Sequence, residues 1–186
     1  FTHRVFKVLN IILLGLICFL IFTSNPFSLQ FQEHLSRGRD LNPLLQDPGF
    51  LLHPPMLYLG YVGYAIPFAF AMAILLSLDA NALYLTYLKP WAMLSWCCLT
   101  LGITLGSWWA YRELGWGGFW FWDPVENASL MPWLAGTALL HALKMSEKQQ
   151  TFLAWTLLMA IAAFALSLIG TFLVRSGVIT SAVSYT

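Results

Sequence analysis

The chain has 186 residues, of which 59% are hydrophobic and only 9% are charged. Soluble domains carry about 25% charged residues, so this composition excludes an ordinary soluble protein and indicates an integral membrane protein. A formal net charge of +1 gives no electrostatic reason to expect a nucleic acid as partner. Because the sequence starts at Phe1 without a Met and stops soon after an apolar run, it is interpreted as a fragment of a longer chain.

Apolar runs predict five membrane-spanning helices, and therefore an all-α integral membrane fold in one polytopic region. In chain order the runs cover residues 5–22, 56–78, 91–109, 125–143 and 151–174. The run 56–78 has no charged residue and would measure about 34 Å as a helix, enough to cross the hydrocarbon core. A proline-rich loop at 23–55 joins the first two spans, and an aromatic segment at 110–127 joins the third and fourth.

The distribution of basic residues gives a weak indication of orientation. With a cytoplasmic N-terminus, five Lys and Arg side chains fall on the inner side and four on the outer side, which marginally satisfies the positive-inside rule. In this orientation the proline-rich loop and the aromatic segment lie on the same, extracytoplasmic side.

Tryptophan is concentrated in one part of the aromatic segment. Residues 116–122 hold three tryptophans and two phenylalanines in seven positions, more than an ordinary interfacial belt places at a helix end. If this stretch is helical, Trp116, Phe119, Trp120 and Asp123 share one face. A broad aromatic face with few charges suits a planar, hydrophobic, conjugated ligand.

Two glycines and two acidic residues qualify this interpretation. Gly117 and Gly118 leave backbone uncovered, so that a flat ligand could approach closely. Asp123-Pro124-Val125-Glu126 is typical of a helix start: Asp123 suits the N-cap, Pro124 the first helical position, and Glu126 completes a capping box. This structural role for Asp123 and Glu126 is favoured on the sequence over ligand contact.

Two histidines are candidate ligands. His141 is the one histidine well inside a predicted span, and intramembrane ionisable residues are functional candidates. Neutral imidazole can bind haem iron, but a histidine bonded to a neighbouring helix, or hydrated near the inner surface, fits equally well. His53 lies at the outer mouth of the second span, where Pro54 and Pro55 are expected to stiffen the backbone and keep it out of helical geometry. Taken alone, His53 is also consistent with a polar belt residue.

Other features of the sequence carry less information. Arg175, just past the last apolar run, either anchors that helix end or pairs with an anionic propionate. The three cysteines form no C-x-x-C pattern, which excludes a thiol redox protein or a c-type cytochrome. No Ser/His/Asp arrangement, phosphate loop or zinc-ligand spacing is present.

Three separated motifs together resemble a known family. The segment Trp116–Leu134 (WGGFWFWDPVENASLMPWL), with Trp122 before Asp123, resembles the tryptophan-rich "WWD" signature of membrane haem-handling proteins, with Phe119 where Trp is more usual. The stretches 40–49 (DLNPLLQDPG) with 53–58 (HPPMLY), and 170–177 (GTFLVRSG), resemble the same family. The chain is thus identified as similar to the cytochrome c maturation protein F (CcmF) branch over nearly all of its length beyond residue 40.

The resemblance implies a haem lyase component of cytochrome c biogenesis. Such a protein takes haem from a haem chaperone and, with thiol-handling maturation subunits, helps to attach it to the C-x-x-C-H motif of an apocytochrome. The WWD segment would hold the haem in transit, and His53 would be its external axial ligand. His141 would be one of two histidines that bind a permanent b-type haem, which keeps the delivered iron reduced.

One departure from the family pattern concerns the second axial ligands. The family has a further external histidine shortly after the Arg-Ser-Gly stretch, whereas residues 179–186 contain none. The partner of His141 is likewise expected beyond Thr186. The chain alone therefore completes neither bis-histidine site and is not expected to be active in isolation.

Three alternatives remain open on the sequence. A haem exporter or chaperone-loading subunit shares the WWD segment, although the continuation after Asp123 and the loop at 40–49 disfavour it. A lyase dedicated to a nitrite reductase cytochrome has the same motifs. A structural or quinone-binding membrane subunit would bind no haem at the aromatic segment.

Overall fold

The computed structural model describes residues 1–23, 25, 27, 43–77, 83–115, 117–147 and 152–176, without the side chains of residues 44, 83 and 175. Six α-helices occur in these ranges, together with a short 3-10 helix at Pro43–Leu45. The α-helices are α1 (Thr2–Thr23), α2 (Pro48–Gly63), α3 (Ala65–Ser77), α4 (Leu83–Glu113), α5 (Pro124–Ser146) and α6 (Leu153–Arg175). The described ranges contain no strand, and the predicted all-α fold is confirmed. Residues 24, 26 and 28–42 of the predicted loop at 23–55 lie outside the described residues, and its last part, residues 48–55, is helical and belongs to α2.

Four helical stretches are long and apolar enough to cross a membrane, so the predicted count of five is not confirmed. They are Thr2–Thr23, Pro48–Ser77, Tyr84–Glu113 and Leu153–Val174, counted over the ranges given above. The predicted span 125–143 does lie within a helix, α5. That helix carries acidic and amide side chains in its first turn and His141 and Lys144 near its end, and these polar residues lower its mean hydropathy. The four stretches fit a multi-pass membrane protein.

The second span differs from its prediction, because it begins at Pro48 rather than at residue 56 and is interrupted by a turn at Tyr64. Asp47 caps α2 by accepting a hydrogen bond from the Gly49 N–H at 2.7 Å, and Pro48 occupies the first turn. The interruption between α2 and α3 follows from Pro67, which has no N–H to offer the carbonyl four residues earlier. Together the two helices form a helical stretch of 30 residues.

Small residues bring α2 and α4 together in an antiparallel pair. A Cβ added at Gly60 would lie 2.7 to 2.8 Å from Leu99, and one added at Gly102 would lie 2.7 Å from the backbone nitrogen of Leu57. Backbones this close exclude any side chain larger than hydrogen at the two glycines, as in other tightly packed membrane helices. The pair fixes the position of every side chain on the facing sides of α2 and α4.

The remaining helices pack around this pair. The largest buried cluster joins α3, α4, α5 and α6, and its members are Ala71, Ile74, Leu85, Leu88, Ala92, Leu139, Leu143, Leu157 and Ala160. The first helix packs mainly against α3, where Val5 is buried beside Ala69 and Ala73, and its residues Leu9 and Ile12 also contact a cluster with members from α2 and α6. The aromatic segment connects the end of α4 to the start of α5, next to the N-terminal end of α2.

Candidate functional site

His53 lies within α2, so the prediction that Pro54 and Pro55 keep it out of helical geometry is wrong. The residue before a proline is only biased against the α conformation, and here tertiary packing outweighs that bias. The Asp47 cap starts the helix ahead of the prolines, and close contact with α4 continues through them. The position of His53 is therefore set by a helix–helix interface and not by a stiffened loop.

The ring of His53 has a defined hydrogen-bond partner. Its Nδ1 lies 2.6 Å from the carbonyl oxygen of Gly102 on α4. A carbonyl oxygen can only accept, so Nδ1 carries the proton and Nε2 keeps a free lone pair. A histidine held in this way presents Nε2 to a metal, because metal-binding histidines commonly donate their other ring N–H to a carbonyl or a carboxylate.

A cavity of about 60 Å³ brings His53 together with the aromatic segment. His53 lines it from α2 and Trp109 from α4, Trp120 contributes from the segment, and Glu126 lines it from the first turn of α5. Three residues that the sequence singled out, His53, Trp120 and Glu126, thus lie around one space. They are separated by up to 73 positions in the sequence, and only the packing of α2, α4 and α5 brings them together.

The part of the aromatic segment between α4 and α5 is not helical, contrary to the condition under which its rings would share one helix face. Residues 117–123 form bends and irregular backbone, and Gly115 and Gly117 have φ values of 67° and 76°. Glycine reaches such values without steric cost, and these two residues turn the chain away from the axis of α4. Trp122 also has a positive φ, of 58°, a conformation that costs a residue with a side chain about 1–3 kcal/mol.

The large rings of the segment are open to the surroundings in the described part of the protein. Phe119 is 66% exposed and Trp122 is 70% exposed. Trp120 meets Trp122 edge to face, with ring centroids 6.1 Å apart. Gly117 has open space where a side chain would be, whereas the ring of Phe121 lies 3.1 Å from a Cβ built at Gly118. The expectation of uncovered backbone therefore holds for Gly117 and not for Gly118.

Asp123 and Glu126 form the capping box that the sequence indicates. The Asp123 carboxylate accepts from the Val125 N–H at 2.9 Å, and the Glu126 carboxylate accepts from the Asp123 N–H at 3.1 Å. The same oxygen of Glu126 also accepts from the Phe121 N–H at 2.9 Å. One carboxylate thus fixes two residues of the aromatic segment against the start of α5.

Asn127 adds a further restraint on the strained residue of the segment. Its side-chain amide donates to the carbonyl oxygen of Trp122 at 2.8 Å. Together with the two hydrogen bonds to Glu126, this contact stabilises at Trp122 a backbone conformation that residues with a side chain rarely adopt. The first turn of α5 therefore serves as the support of the aromatic segment.

His141 lies near the opposite end of α5 and does not line this cavity. Its Nδ1 is 2.8 Å from the carbonyl oxygen of Thr137, one turn earlier. By the same reasoning as for His53, Nδ1 donates and Nε2 keeps its lone pair. The ring is exposed in the described part of the chain, and about 25 Å of helix separates it from Pro124. No group of three or more His, Cys, Asp or Glu residues comes together as a metal site within the described ranges.

Two of the residues singled out from the sequence fall outside this description. Trp116 is not among the described residues, and neither is the side chain of Arg175, whose backbone ends α6. The structure therefore does not test either of these two predictions.

An ion pair at the start of the aromatic segment was not predicted from the sequence. Asp47, whose side chain is 3% exposed, accepts from Arg112 Nη1 at 3.2 Å. The Arg112 guanidinium also lies over the ring of Trp108, 4.8 Å from its centroid. This contact joins the start of α2 to the end of α4, where the aromatic segment begins. Because Asp47 and Arg112 are far apart in the sequence, no local sequence pattern predicts that they form a pair.

Replacing Asp47 tests the strength of this connection. Asp47→Ala removes both the helix cap and the partner of Arg112, and the loss of the cap alone costs about 0.5–2 kcal/mol. Asp47→Asn keeps an oxygen for the Gly49 N–H and removes only the charge. We expect the melting temperature of the full-length protein in detergent to fall most in Asp47→Ala and less in Asp47→Asn. Equal melting temperatures for wild type and Asp47→Ala would contradict this role.

Comparisons with known proteins agree with the motifs. The family model described as "Cytochrome C assembly protein" matches residues 1–179. The chain is 58% identical to "Cytochrome c-type biogenesis protein CcmF" of Escherichia coli K12 over 178 residues, which are 96% of this chain and 28% of that protein. It is 60% identical to the CcmF of Pseudomonas aeruginosa (96% and 27%) and 53% identical to "Cytochrome c-type biogenesis protein NrfE" of Haemophilus influenzae (97% and 29%).

A solved structure shares the same arrangement of helices. "Cytochrome c Heme Lyase CcmF" superposes with a TM-score of 0.76 at 35% sequence identity, over 94% of this chain and 27% of that one. The chain thus spans about 28% of the length of the first curated relatives that it matches.

Proposed function

Because the chain belongs to the cytochrome c assembly protein family, we propose that it forms the haem-receiving part of a membrane haem lyase in cytochrome c biogenesis. The substrates of this reaction are haem and an apocytochrome c with a C-x-x-C-H motif. The observation that carries the proposal is the meeting of His53 and Trp120 at one cavity. An axial ligand and an aromatic surface are the two parts that a haem site needs.

His53 is the proposed axial ligand of the incoming haem. Its Nε2 is the nitrogen with a free lone pair, because Nδ1 donates to Gly102. The hydrogen bond to a carbonyl also raises the basicity of the ring and fixes its direction. Both effects favour an imidazole that binds iron without first having to reorient.

The haem would lie against the aromatic segment rather than inside the cavity. Pockets that enclose a drug-sized ligand measure about 300–1,000 Å³, and the cavity beside His53 measures about 60 Å³. The exposed rings of Phe119 and Trp122 offer the apolar surface that a porphyrin face requires. His53 and the aromatic segment therefore fit a haem that is bound from one side and remains open to a protein partner on the other.

The attachment reaction places its main demand on positioning. Each cysteine S–H adds across a vinyl C=C bond of the haem: the sulfur bonds to one carbon, the hydrogen goes to the other, and no group leaves. A reaction of this type is accelerated by holding both partners at the reacting distance. A rigid aromatic segment, supported by Asp123, Glu126 and Asn127, would hold the vinyl groups in place while the thiols approach.

Two further residues complete the proposal. Arg175 would pair with a haem propionate, as arginine does with carboxylates. His141 would hold a b-type haem, with Nε2 as ligand and the second ligand outside this chain; its imidazole would be oriented by the Thr137 carbonyl. Such a haem would supply the redox chemistry that keeps the iron of the delivered haem in its reduced state.

The partners follow from the reaction. A haem chaperone would deliver haem to the aromatic segment, and thiol-handling maturation subunits would present the apocytochrome in its reduced form. The protein would lie in a bacterial inner membrane, with the segment facing the periplasm, or in a mitochondrial inner membrane.

Replacing Trp120 tests the aromatic surface. In the purified full-length protein, Trp120→Ala removes an indole that lines the cavity beside His53. The loss of one aromatic contact is worth at least about 1 kcal/mol, so we expect haem binding to weaken about fivefold or more. Absorbance during a haem titration measures this change.

Trp155→Ala is the matched control for Trp120→Ala. Trp155 is 58% exposed on α6 and lies outside the cavity lining, so its loss should leave haem binding unchanged. Equal haem affinities in the two variants would argue against the aromatic segment as the haem surface.

A further inference from the structure

The space around the His53 ring depends on one residue of α4, Gly106. A Cβ added at this position would lie 2.5 Å from His53 Cε1, 2.7 Å from Nδ1 and 3.2 Å from Nε2. All three of its nearest atoms belong to that one ring. Real Cβ atoms are essentially never found as close as 2.5 Å to another heavy atom, so any side chain at position 106 would displace the imidazole.

Gly106 also leaves open the carbonyl that His53 uses. In an α-helix the Gly102 carbonyl accepts from the N–H of residue 106, and here it additionally accepts from His53 Nδ1 at 2.6 Å. The imidazole reaches this shared oxygen across the position where a side chain of residue 106 would stand. The hydrogen bond that fixes the tautomer and the absence of a side chain at 106 are therefore parts of one arrangement.

From this geometry we infer that Gly106 is a positioning residue. Because it has no side chain, it leaves room for the His53 imidazole to lie against α4, with Nδ1 bonded to Gly102 and Nε2 free to bind the haem iron. The inference rests on the proposed function of His53. It adds that the haem-binding property of His53 depends on a glycine of α4, which lines the same cavity as His53. Gly106 is required for this role although alanine has the higher helix propensity at an interior helix position.

Gly106→Ala in the full-length protein tests the inference. The methyl group is expected to push the imidazole off the Gly102 carbonyl and to lower haem affinity at the aromatic segment about tenfold, as the loss of an outer-shell partner does for metal ligands. The electron paramagnetic resonance g values of the ferric haem bound there should shift with the ring, whereas those of the b-type haem should not.

Thr104→Ala is the matched control. Thr104 lies two residues before Gly106 on α4, but its side chain is exposed and its hydroxyl donates to the Thr100 carbonyl of the same helix at 2.8 Å. The variant should leave the haem affinity and the g values unchanged. Unchanged g values and affinity in Gly106→Ala would overturn the inference, as would an equal shift of the g values in Thr104→Ala.

A double-mutant cycle separates this inference from a general packing effect. If Gly106 acts through the ring, Gly106→Ala should have no further effect on haem affinity in a His53→Ala background. Additive losses would overturn the inference. If Gly106→Ala does not accumulate in membranes, accumulation of the double variant supports a clash with the ring, and its failure to accumulate overturns the inference. Unchanged haem binding in His53→Ala alone would instead refute the proposed function.

Discussion

In the full-length protein, His53→Ala is expected to reduce the yield of mature c-type cytochrome to background. Outer-shell partners of metal ligands already contribute about 10–100-fold to affinity, and the loss of the ligand itself should exceed that effect. The yield is measured by staining covalently bound haem in denaturing gels of cells that express the variant as the sole lyase.

A control on the same helix distinguishes the loss of a ligand from the loss of the fold. Leu52 is 52% exposed beside His53, and Leu52→Ala should mature cytochrome c normally. The amounts of both variants in the membrane should equal the wild-type amount. Normal maturation by His53→Ala would contradict the assignment of His53 as the axial ligand.

His141→Ala is expected to remove the absorbance spectrum of a b-type haem from the purified full-length protein. Its Nε2 is the nitrogen left free by the hydrogen bond to Thr137, and an iron that loses one of two histidines changes its spin state or dissociates. The reduced-minus-oxidised spectrum of the detergent-purified protein measures the effect. Haem transferred to the aromatic segment from a chaperone should still be bound.

Thr137→Val is the control variant for His141→Ala. The valine removes the Thr137 hydroxyl, which accepts from Trp96 Nε1 at 2.9 Å, and leaves the backbone carbonyl that orients His141. It should therefore preserve the b-type spectrum. A wild-type spectrum in His141→Ala would refute the ligand role of this histidine.

The parts of the fold that depend on local sequence could be predicted. The runs 5–22, 91–109 and 125–143 each lie within one helix, whereas the described residues of the run 56–78 divide between α2 and α3, and the run 151–174 is α-helical from Leu153. The capping box of Asp123 and Glu126 starts α5. These features arise from residues within a few positions of one another, so their pattern can be recognised in the sequence. Family membership was predictable for a related reason, because each of the three motifs is a short continuous stretch whose residues resemble the family pattern.

The parts of the fold that depend on contacts between helices could not be predicted from the sequence. His53 is helical because α4 packs against it, and its partner Gly102 lies 49 positions away. Asp47 and Arg112 are 65 positions apart. The four-residue spacing of Gly102 and Gly106 is the one sequence signal that could have indicated a close helix contact. The spacing does not identify His53 as the residue that packs against Gly106.

The aromatic segment shows a different limit. Spacing suggested a helical face, but Gly115 and Gly117 take positive φ values and turn the chain. Trp122 does so as well, at an energetic cost that hydrogen bonds from its neighbours offset. Helical periodicity is not informative where the backbone is irregular.

The most direct test of the site is the axial coordination of haem bound at the aromatic segment of the intact protein. Purified with its haem donor present and with its histidines labelled with ¹⁵N, the wild-type protein should show histidine nitrogen hyperfine coupling to the ferric iron, and His53→Ala should lose one such coupling. An identical set of couplings in the two proteins would show that His53 does not bind the iron.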